Sequence, residues 1–377
     1  MVAVPFPATG RPFVRVNIRG MRSRTPVTLA DVAALAGVSQ QTVSRVVNNL
    51  PNVSARTRTR VTQAAAQLDY VPNRLATSLA RQRTFTVGFV TNDLSLHAPS
   101  QLTAGIERAA RAAGYSLIVS IVPEDSLAAV THAVRALRER QVDGVLINAS
   151  MTPADAAALR RRLPDLACVF MDVTPDTPVP AALLDQEYGA RLAARHLLDL
   201  GHTRVAFITP PGQAVVENTR EHGWRQVLAA HDLTPVAAVS GDWSPHGGYL
   251  AAQTLLAGPP FTALLVANDQ MAVGALRALW ERGLNVPADV SVIGYDDTPE
   301  SALLIPPLST VRQDFPTLGE RAFTHLLAQL AGDPPPTPVV TRPELILRAS
   351  TAPPQAPDRA AVQDALALLA RHLAARG

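Results

Sequence analysis

Polar side chains close several short apolar runs in the second half of the chain. Asp172 ends ACVFMD, Asn268 and Asp269 end TALLVAND, and Asp296 and Asp297 end VSVIGYD. Arg220 lies in ENTREHGW, Gln313 and Phe315 lie in VRQDF, and Trp243 follows SGD. Carboxylates, amides, an arginine and an aromatic ring together suit a ligand dense in hydroxyls. Vicinal hydroxyls donate and accept at once, so a carboxylate or an arginine can bridge two of them. A Trp face packs on the apolar face of a pyranose. Two other readings stand beside this one. Taken singly, Asp and Asn at strand ends are common as turn formers and helix caps. Asp172 and Asp296 could also be the acid and nucleophile of a glycosidase, although nothing in the sequence argues for a raised pKa at either.

The elements that must hold these groups alternate between two types. TVGFV, SLIVSIV, DGVLIN, ACVFMD, VAFIT, TALLVAND and VSVIGYD are candidate strands. Between them, helices are predicted over Ser100–Ala113, Ala128–Arg140, Gly189–Leu200, Asn218–His231 and Gln270–Gly283. Such alternation specifies parallel α/β sheets. The strands are too many for one small sheet, so two α/β lobes are expected. Ligands then bind outside the carboxyl ends of strands, in the cleft between lobes.

The stretch Thr28–Asn49, TLADVAALAGVSQQTVSRVVNN, carries a different chemistry. Thr28 with Asp31 is a capping box that starts a helix, and Leu29, Val32, Ala33 and Ala36 recur at helical spacing. Gly37 suits the left-handed turn after it, and Ser39 caps a second helix. On that helix Val43, Val46 and Val47 form an inner stripe. Gln40, Gln41, Ser44 and Arg45 are left on a polar face. This is the helix-turn-helix pattern, whose second helix enters the major groove; Gln matches adenine edges and Arg guanine edges. On spacing alone an ordinary helical corner with a solvated face explains it equally well. Ser54 caps a third helix, with Val61, Ala65 and Leu68 inside and Arg56, Arg58 and Arg60 outside, suited to phosphates. In Tyr70–Arg83, Asn73 can cap a short helix with Leu75 and Leu79 on one face, too short to be stable alone.

A chain of 377 residues, 47% of them hydrophobic, can bury the cores of two or three domains. The net charge is +3, and all 34 basic residues are arginine. Their placement matters more than their number, because residues 11–83 are dense in Arg and poor in acids. That asymmetry marks a nucleic-acid end. Cys168 is the single cysteine, so disulfide frameworks and multi-cysteine metal sites are excluded. No apolar run is long enough for a membrane span, and the Pro- and Arg-bearing N-terminus lacks a signal core; a cytoplasmic protein without a cofactor is expected. Residues 1–26 show no pattern and are read as a disordered extension, with Met21 an alternative start. At the other end APPQAPD is a linker by composition. Val362, Leu366, Leu369 and Leu373 follow at heptad spacing, an oligomerisation stripe unless the helix folds back on its own lobe.

The run TLADVAALAGVSQQTVSRVVNN…VSARTR…LDYVPNRLATSLA resembles the DNA-binding domain and hinge of the LacI family. HAPSQ, GDWS, VANDQMAVGA, GYDDT and IPPLSTVRQDF resemble its effector-binding core, so the likeness spans nearly all of residues 27–352. The resemblance implies a sugar-responsive repressor, released from a near-palindromic operator by a small sugar, expected to be a galactoside. The fold implied is an all-α helix-turn-helix head, an α/β two-lobed, periplasmic-binding-protein-like core with parallel sheets, and a C-terminal helix. The divisions are 27–72 for the head, 73–84 for a hinge helix, 85–352 for the core and 353–377 for linker and tail helix. Within the core, about 85–184 and 313–337 form the N-lobe, and about 185–312 and 338–352 the C-lobe.

By the same resemblance Gln40, Gln41 and Arg45 read operator bases. Thr28, Ser39, Thr42, Ser44, Asn48 and Asn73 contact DNA beside them, and Leu79 wedges into the central minor groove. Asp172, Arg220, Asn268, Asp296 and Gln313 bond sugar hydroxyls. Trp243, Phe315, Leu96 and Leu102 form apolar walls, with Asn92 at the anomeric side. His97 is a candidate to pair with Glu300 of a second subunit. The tail helix joins dimers into a dimer of dimers. Three positions depart from a member of the family: Gln40 replaces a tyrosine, Asn92 a serine and Leu184 a phenylalanine. The first puts the operator sequence in doubt, the others the preferred aglycone. A transport-type solute-binding protein would share the core but needs a signal peptide and no DNA head. A family regulator of another metabolite also remains open.

Overall fold

A computed structural model describes residues 27–48, 50–71, 83–123, 126–211, 217–333 and 338–355. The expected extension, Asn73 and Leu79 of the hinge, and the tail stripe Val362, Leu366, Leu369 and Leu373 lie outside the described residues. The chain divides into two compact units between Ala80 and Arg81.

The first unit holds α1 (Leu29–Ala36), α2 (Gln40–Val47) and α3 (Ala55–Gln67). Each begins as its sequence dictates. Thr28 and Asp31 cap one another reciprocally, with the Thr28 amide donating to the Asp31 carboxylate at 2.8 Å. Ser39 accepts from the Thr42 amide and Ser54 from the Thr57 amide. Gly37 closes α1 at φ 60°, where Val38 N–H reaches Ala33 O at 3.1 Å in a Schellman turn. The core is small and aliphatic: Val32, Ala33, Ala36, Val43, Val46, Val61 and Ala64.

The second unit contains both lobes. In the N-lobe β1 (Thr86–Thr91), β2 (Ser116–Ile121), β3 (Gly144–Asn148) and β4 (Ala167–Phe170) form a parallel sheet ordered β2-β1-β3-β4. Side chains alternate across it, as the pleat requires. Val90, Val145, Ile147, Cys168 and Phe170 join one core with α5 (Leu127–Glu139) and α6 (Pro153–Arg162). Phe89, Leu146 and Val169 join the other with α4 (His97–Ala112) and α11 (Phe315–Ala331). Helices α4 and α11 cross so closely that a Cβ on Gly105 would lie 2.5 Å from Pro316 O. Cys168 is fully buried and its thiol is pushed up to about 12 by burial, an inert packing group.

The C-lobe sheet runs β12-β10-β9-β8-β6-β7. Its strands are β6 (Val205–Thr209), β7 (Ala237–Ser240), β8 (Ala263–Val266), β9 (Ser291–Asp296), β10 (Ser309–Arg312) and β12 (Glu344–Ile346). All pair parallel except β12, antiparallel to β10. Helices α7 (Gln186–Asp199), α8 (Glu217–Ala229), α9 (Pro245–Leu256) and α10 (Asp269–Glu281) complete the lobe around one core.

The chain crosses between lobes three times. β5 (Ala182–Leu184) leads into α7, Gln313 and Asp314 join β10 to α11, and β11 (Val339–Thr341) leads to β12. β5 and β11 pair parallel, and Val339 packs on the N-lobe core. The last crossing therefore falls at Arg342–Pro343 rather than before residue 338, because β11 finds its hydrogen-bond partner on the N-lobe side.

The predicted helices of the head and core form, with shifted ends. α4 begins at His97 rather than Ser100, since Pro99 lies in the first turn, where a missing amide hydrogen is harmless. Three helices and four strands escape the periodicity. α6, α9 and α11 open on Pro153, Pro245 and Phe315-Pro316, and α9 and α11 contain glycines that read as turns. β5, β7, β10 and β11, three or four residues long, are not among the candidate strands. Among the described residues no helix is long and apolar enough to cross a membrane, and no cluster of ligating side chains could hold a metal.

Candidate functional site

The ends of both sheets face one another across a cleft of about 740 Å³, its open mouth included. The N-lobe side brings Asn92 just after β1, Asn148 at the end of β3 and Asp172 just after β4. Leu96, Pro99, Leu102, Met171, Leu184 and Phe315 give that side its apolar surface. The C-lobe side brings Gln186, Arg220, Trp243, Asn268 and Asp296. Of the ten residues expected to meet an effector, nine line this one cavity.

Arg220 is the hub. It is 7% exposed, and its guanidinium lies over the Tyr295 ring at 4.1 Å and the Trp243 ring at 5.5 Å. Nε donates to Gln186 Oε1 at 2.8 Å, Nη1 donates to Ala267 O, and Nη2 lies 3.8 Å from Asp296 Oδ1. Such a buried arginine, held through Nε and Nη1, is a rigid donor rather than a roaming surface charge. Asn268 is also held twice. Its Oδ1 caps α10 through the Met271 amide at 2.8 Å, and its Nδ2 donates to Trp243 O at 3.1 Å. That second bond helps fix Trp243, which sits at φ 70°.

Gln313 is the exception among the ten. It lies behind the wall rather than on it, lining a second hollow at the crossovers, and donates Nε2 to Asp296 Oδ1 at 2.7 Å. That bond orients Asp296, while Gln313 Oε1 is buried without a hydrogen-bond partner. Burial pushes Asp296 up to about 6, against the pull of the Arg220 guanidinium and the Gln313 amide. The sequence held no sign of that shift, because it arises from packing around the end of β9.

Asp269 lies beneath Asp296 and accepts from Thr298 N at 3.0 Å, Ser301 Oγ at 2.6 Å and Thr310 Oγ1 at 2.6 Å. Burial and then the Asp296 charge push it up to about 7. It ties the loop after β9 to β10 and so fixes where Asp296 stands. Among the cleft residues missed by strand-end reasoning are Asn148, Met171, Gln186 and Gln270. Asn148 ends DGVLIN and could have been found by the rule that selected Asp172. His97, considered for a subunit contact, lines the cleft and meets Phe315 edge-on at 5.8 Å; burial lowers its pKa.

On the first unit Gln40, Gln41 and Arg45 are exposed on α2. Ser39 and Thr42 join hydroxyls at 2.9 Å, and Asn48 Nδ2 folds back to Ser44 O at 2.8 Å. Thr28 is exposed at the start of α1. The three outer arginines of α3 are not equivalent. Arg58 donates to Leu50 O at 3.1 Å and Arg60 to Gly37 O at 3.4 Å, so both stitch the unit together. Arg56 is exposed.

The head and the cleft each match a known pattern. The profile of bacterial regulatory proteins, lacI family, matches residues 28–73, and that of the periplasmic binding protein-like domain matches residues 194–351. The chain is 41% identical over 351 residues to the lactose operon repressor of Escherichia coli K12, covering 92% of this chain and 98% of that protein. The chain belongs to the LacI family. It is accordingly a DNA-binding transcriptional repressor. The ribose operon repressor of the same strain is 34% identical over 307 residues, covering 80% of this chain and 93% of that one. A crystal structure of the lac repressor dimer, bound to operator and the anti-inducer ONPF, superposes with a TM-score of 0.82 at 42% identity. It covers 87% of this chain and 99% of its own. These LacI-family relatives are repressors rather than enzymes by name.

Proposed function

We propose that this LacI-family repressor controls a sugar-utilisation operon and is released from its operator by a galactoside bound between the lobes. One observation carries the reading: Arg220 and Asp296, both buried, meet at the cleft with the Trp243 ring beside the guanidinium. A charged pair with an aromatic face fits a ring that has hydroxyls on its edge and C–H groups on its face. Arg220, Asn268, Asp296 and Asp172 bond the hydroxyls, while Trp243, Phe315, Leu96 and Leu102 exclude water around them. Asn92 meets the far end of the ligand. Gln313 supports Asp296.

On DNA, α2 lies in the major groove with Gln40, Gln41 and Arg45 at base edges. Thr28, Ser39, Thr42, Ser44, Asn48 and Asn73 hold register on the backbone beside them. The protein acts as a cytoplasmic homodimer, with paired hinges placing Leu79 at the operator centre. The stripe Val362, Leu366, Leu369 and Leu373 joins dimers in pairs. A sugar that touches both lobes favours one relative placement of them, and release follows if that placement suits DNA less well. Titrating a galactoside into the complex with DNA from upstream of the chain's own gene tests this; release supports it, and undiminished binding overturns it.

The raised pKa of Asp296 favours one further reading, acid catalysis of glycoside hydrolysis. Incubation with an aryl galactoside separates the two. The repressor reading expects no turnover, and turnover abolished by Asp296→Asn would replace it.

A further inference from the structure

The N-lobe wall of the cleft carries an acceptor that no donor meets. Asn92 follows β1 and lines the cavity, and its Oδ1 is buried without a hydrogen-bond partner. Only a few buried side-chain polar atoms among the described residues share that state, and the others belong to Trp224, Gln313 and His325. None of those three lines this cleft. The neighbouring Asn148 Nδ2 donates to Thr91 Oγ1 at 3.3 Å and makes no bond to Asn92 Oδ1. Around Asn92 the same wall is apolar through Leu96, Pro99, Leu102 and Met171.

A buried acceptor without a donor bears its full desolvation penalty, and a ligand hydroxyl placed there removes it. An alkyl or aryl group placed there seals the penalty in. A hydroxyl answers in either orientation of the amide, because it both donates and accepts. A site built around a hydrogen bond rejects the analogue lacking it far more strongly than an apolar site rejects an added hydroxyl. The neutral amide gives no reason to select a charged substituent.

We propose that Asn92 selects glycosides that carry a hydroxyl on the substituent facing the N-lobe, over those that end in an alkyl or aryl group. This rests on the reading of the cleft as a sugar site. The effector class it names is a hydroxylated glycoside, such as a glycerol glycoside or a disaccharide.

The test is calorimetric titration of the full-length protein with two matched pairs: glyceryl and isopropyl β-galactoside, and glyceryl and isopropyl β-glucoside. For at least one sugar the glyceryl compound should bind about 10-fold more tightly, the value of one matched bond plus one relieved acceptor. In Asn92→Leu that preference should fall below about 2-fold, with the isopropyl glycoside bound as well or better. Asn92→Asp, which keeps an acceptor, should retain the preference. Binding of both members without preference in the unaltered protein overturns the assignment, as does a preference that survives in Asn92→Leu. If no glycoside of either pair binds, the sugar reading falls and this assignment falls with it.

Discussion

Replacing Arg220 by Met keeps most of the side-chain volume and removes every donor. The loss has two parts. Gln186 Oε1 and Ala267 O each lose a partner, and Asp296 loses the guanidinium 3.8 Å away. Breaking a buried ion pair from one side costs about 3–5 kcal/mol when both charges are fully enclosed. Here the nitrogen–oxygen contact is long and water can enter the cleft, so about 3 kcal/mol is expected at pH 8. At pH 5 the outcome differs. Asp296 titrates near 6 in the folded protein and is mostly protonated there. The neutral acid does not need the guanidinium, and the loss shrinks to the unmet hydrogen bonds, about 1–2 kcal/mol. The sign follows because Arg220 holds the Asp296 pKa down; removing it raises that pKa further, and the added penalty develops only as pH climbs through about 6. Urea unfolding of both proteins at pH 5, 6, 7 and 8, followed by circular dichroism, measures it. A difference in stability that is constant across that range would refute the charge argument, and one that shrinks with pH would reverse it.

Asp269→Asn should flatten the stability profile between pH 4 and 8. The folded pKa of Asp269 is raised to about 7, so its favourable contribution is complete below the ordinary carboxyl range and is lost as pH rises through 7; urea curves read this, and an unchanged slope contradicts it. Gly274→Ala should destabilise the C-lobe by about 1–3 kcal/mol, since the new Cβ would lie 1.8 Å from Pro245 O, a backbone atom that cannot step aside. A thermal melt within 1 °C of the parent would contradict that packing. Gln41→Ala and Arg45→Ala should each weaken specific DNA binding by about 1–3 kcal/mol and relax preference at one base. Arg56→Ala should instead lower affinity evenly and reduce its salt dependence, and a change in base preference would reverse its assignment.

The head was legible almost residue by residue because local rules decide it. Thr28, Gly37, Ser39 and Ser54 each do what their side chains or φ permit within a few positions in sequence. The parallel strands were legible because both their faces are apolar. What stayed hidden depends on long-range packing. α9 and α11 carry glycines where a neighbouring backbone comes close, and these read locally as turns. Gln313 sits between strand and helix, and the bond from its amide nitrogen to Asp296 is set by packing that no spacing shows. Arg58 and Arg60 looked like phosphate contacts, but the carbonyls of Leu50 and Gly37 hold them, 8 and 23 residues away in sequence. The raised pKa values of Asp269 and Asp296 depend on burial that no spacing encodes.

Induction requires coupling between the interlobe cleft and the DNA-binding head. Fluorescence anisotropy of labelled duplex from upstream of the chain's own gene, titrated with the full-length protein with and without galactosides, tests it most directly. Tight binding that a galactoside weakens, with Arg220→Met still binding the duplex but ignoring the sugar, is the predicted result. Binding that stays equally tight whatever carbohydrate is present would contradict the coupling, and failure to bind any duplex would contradict the role of the head.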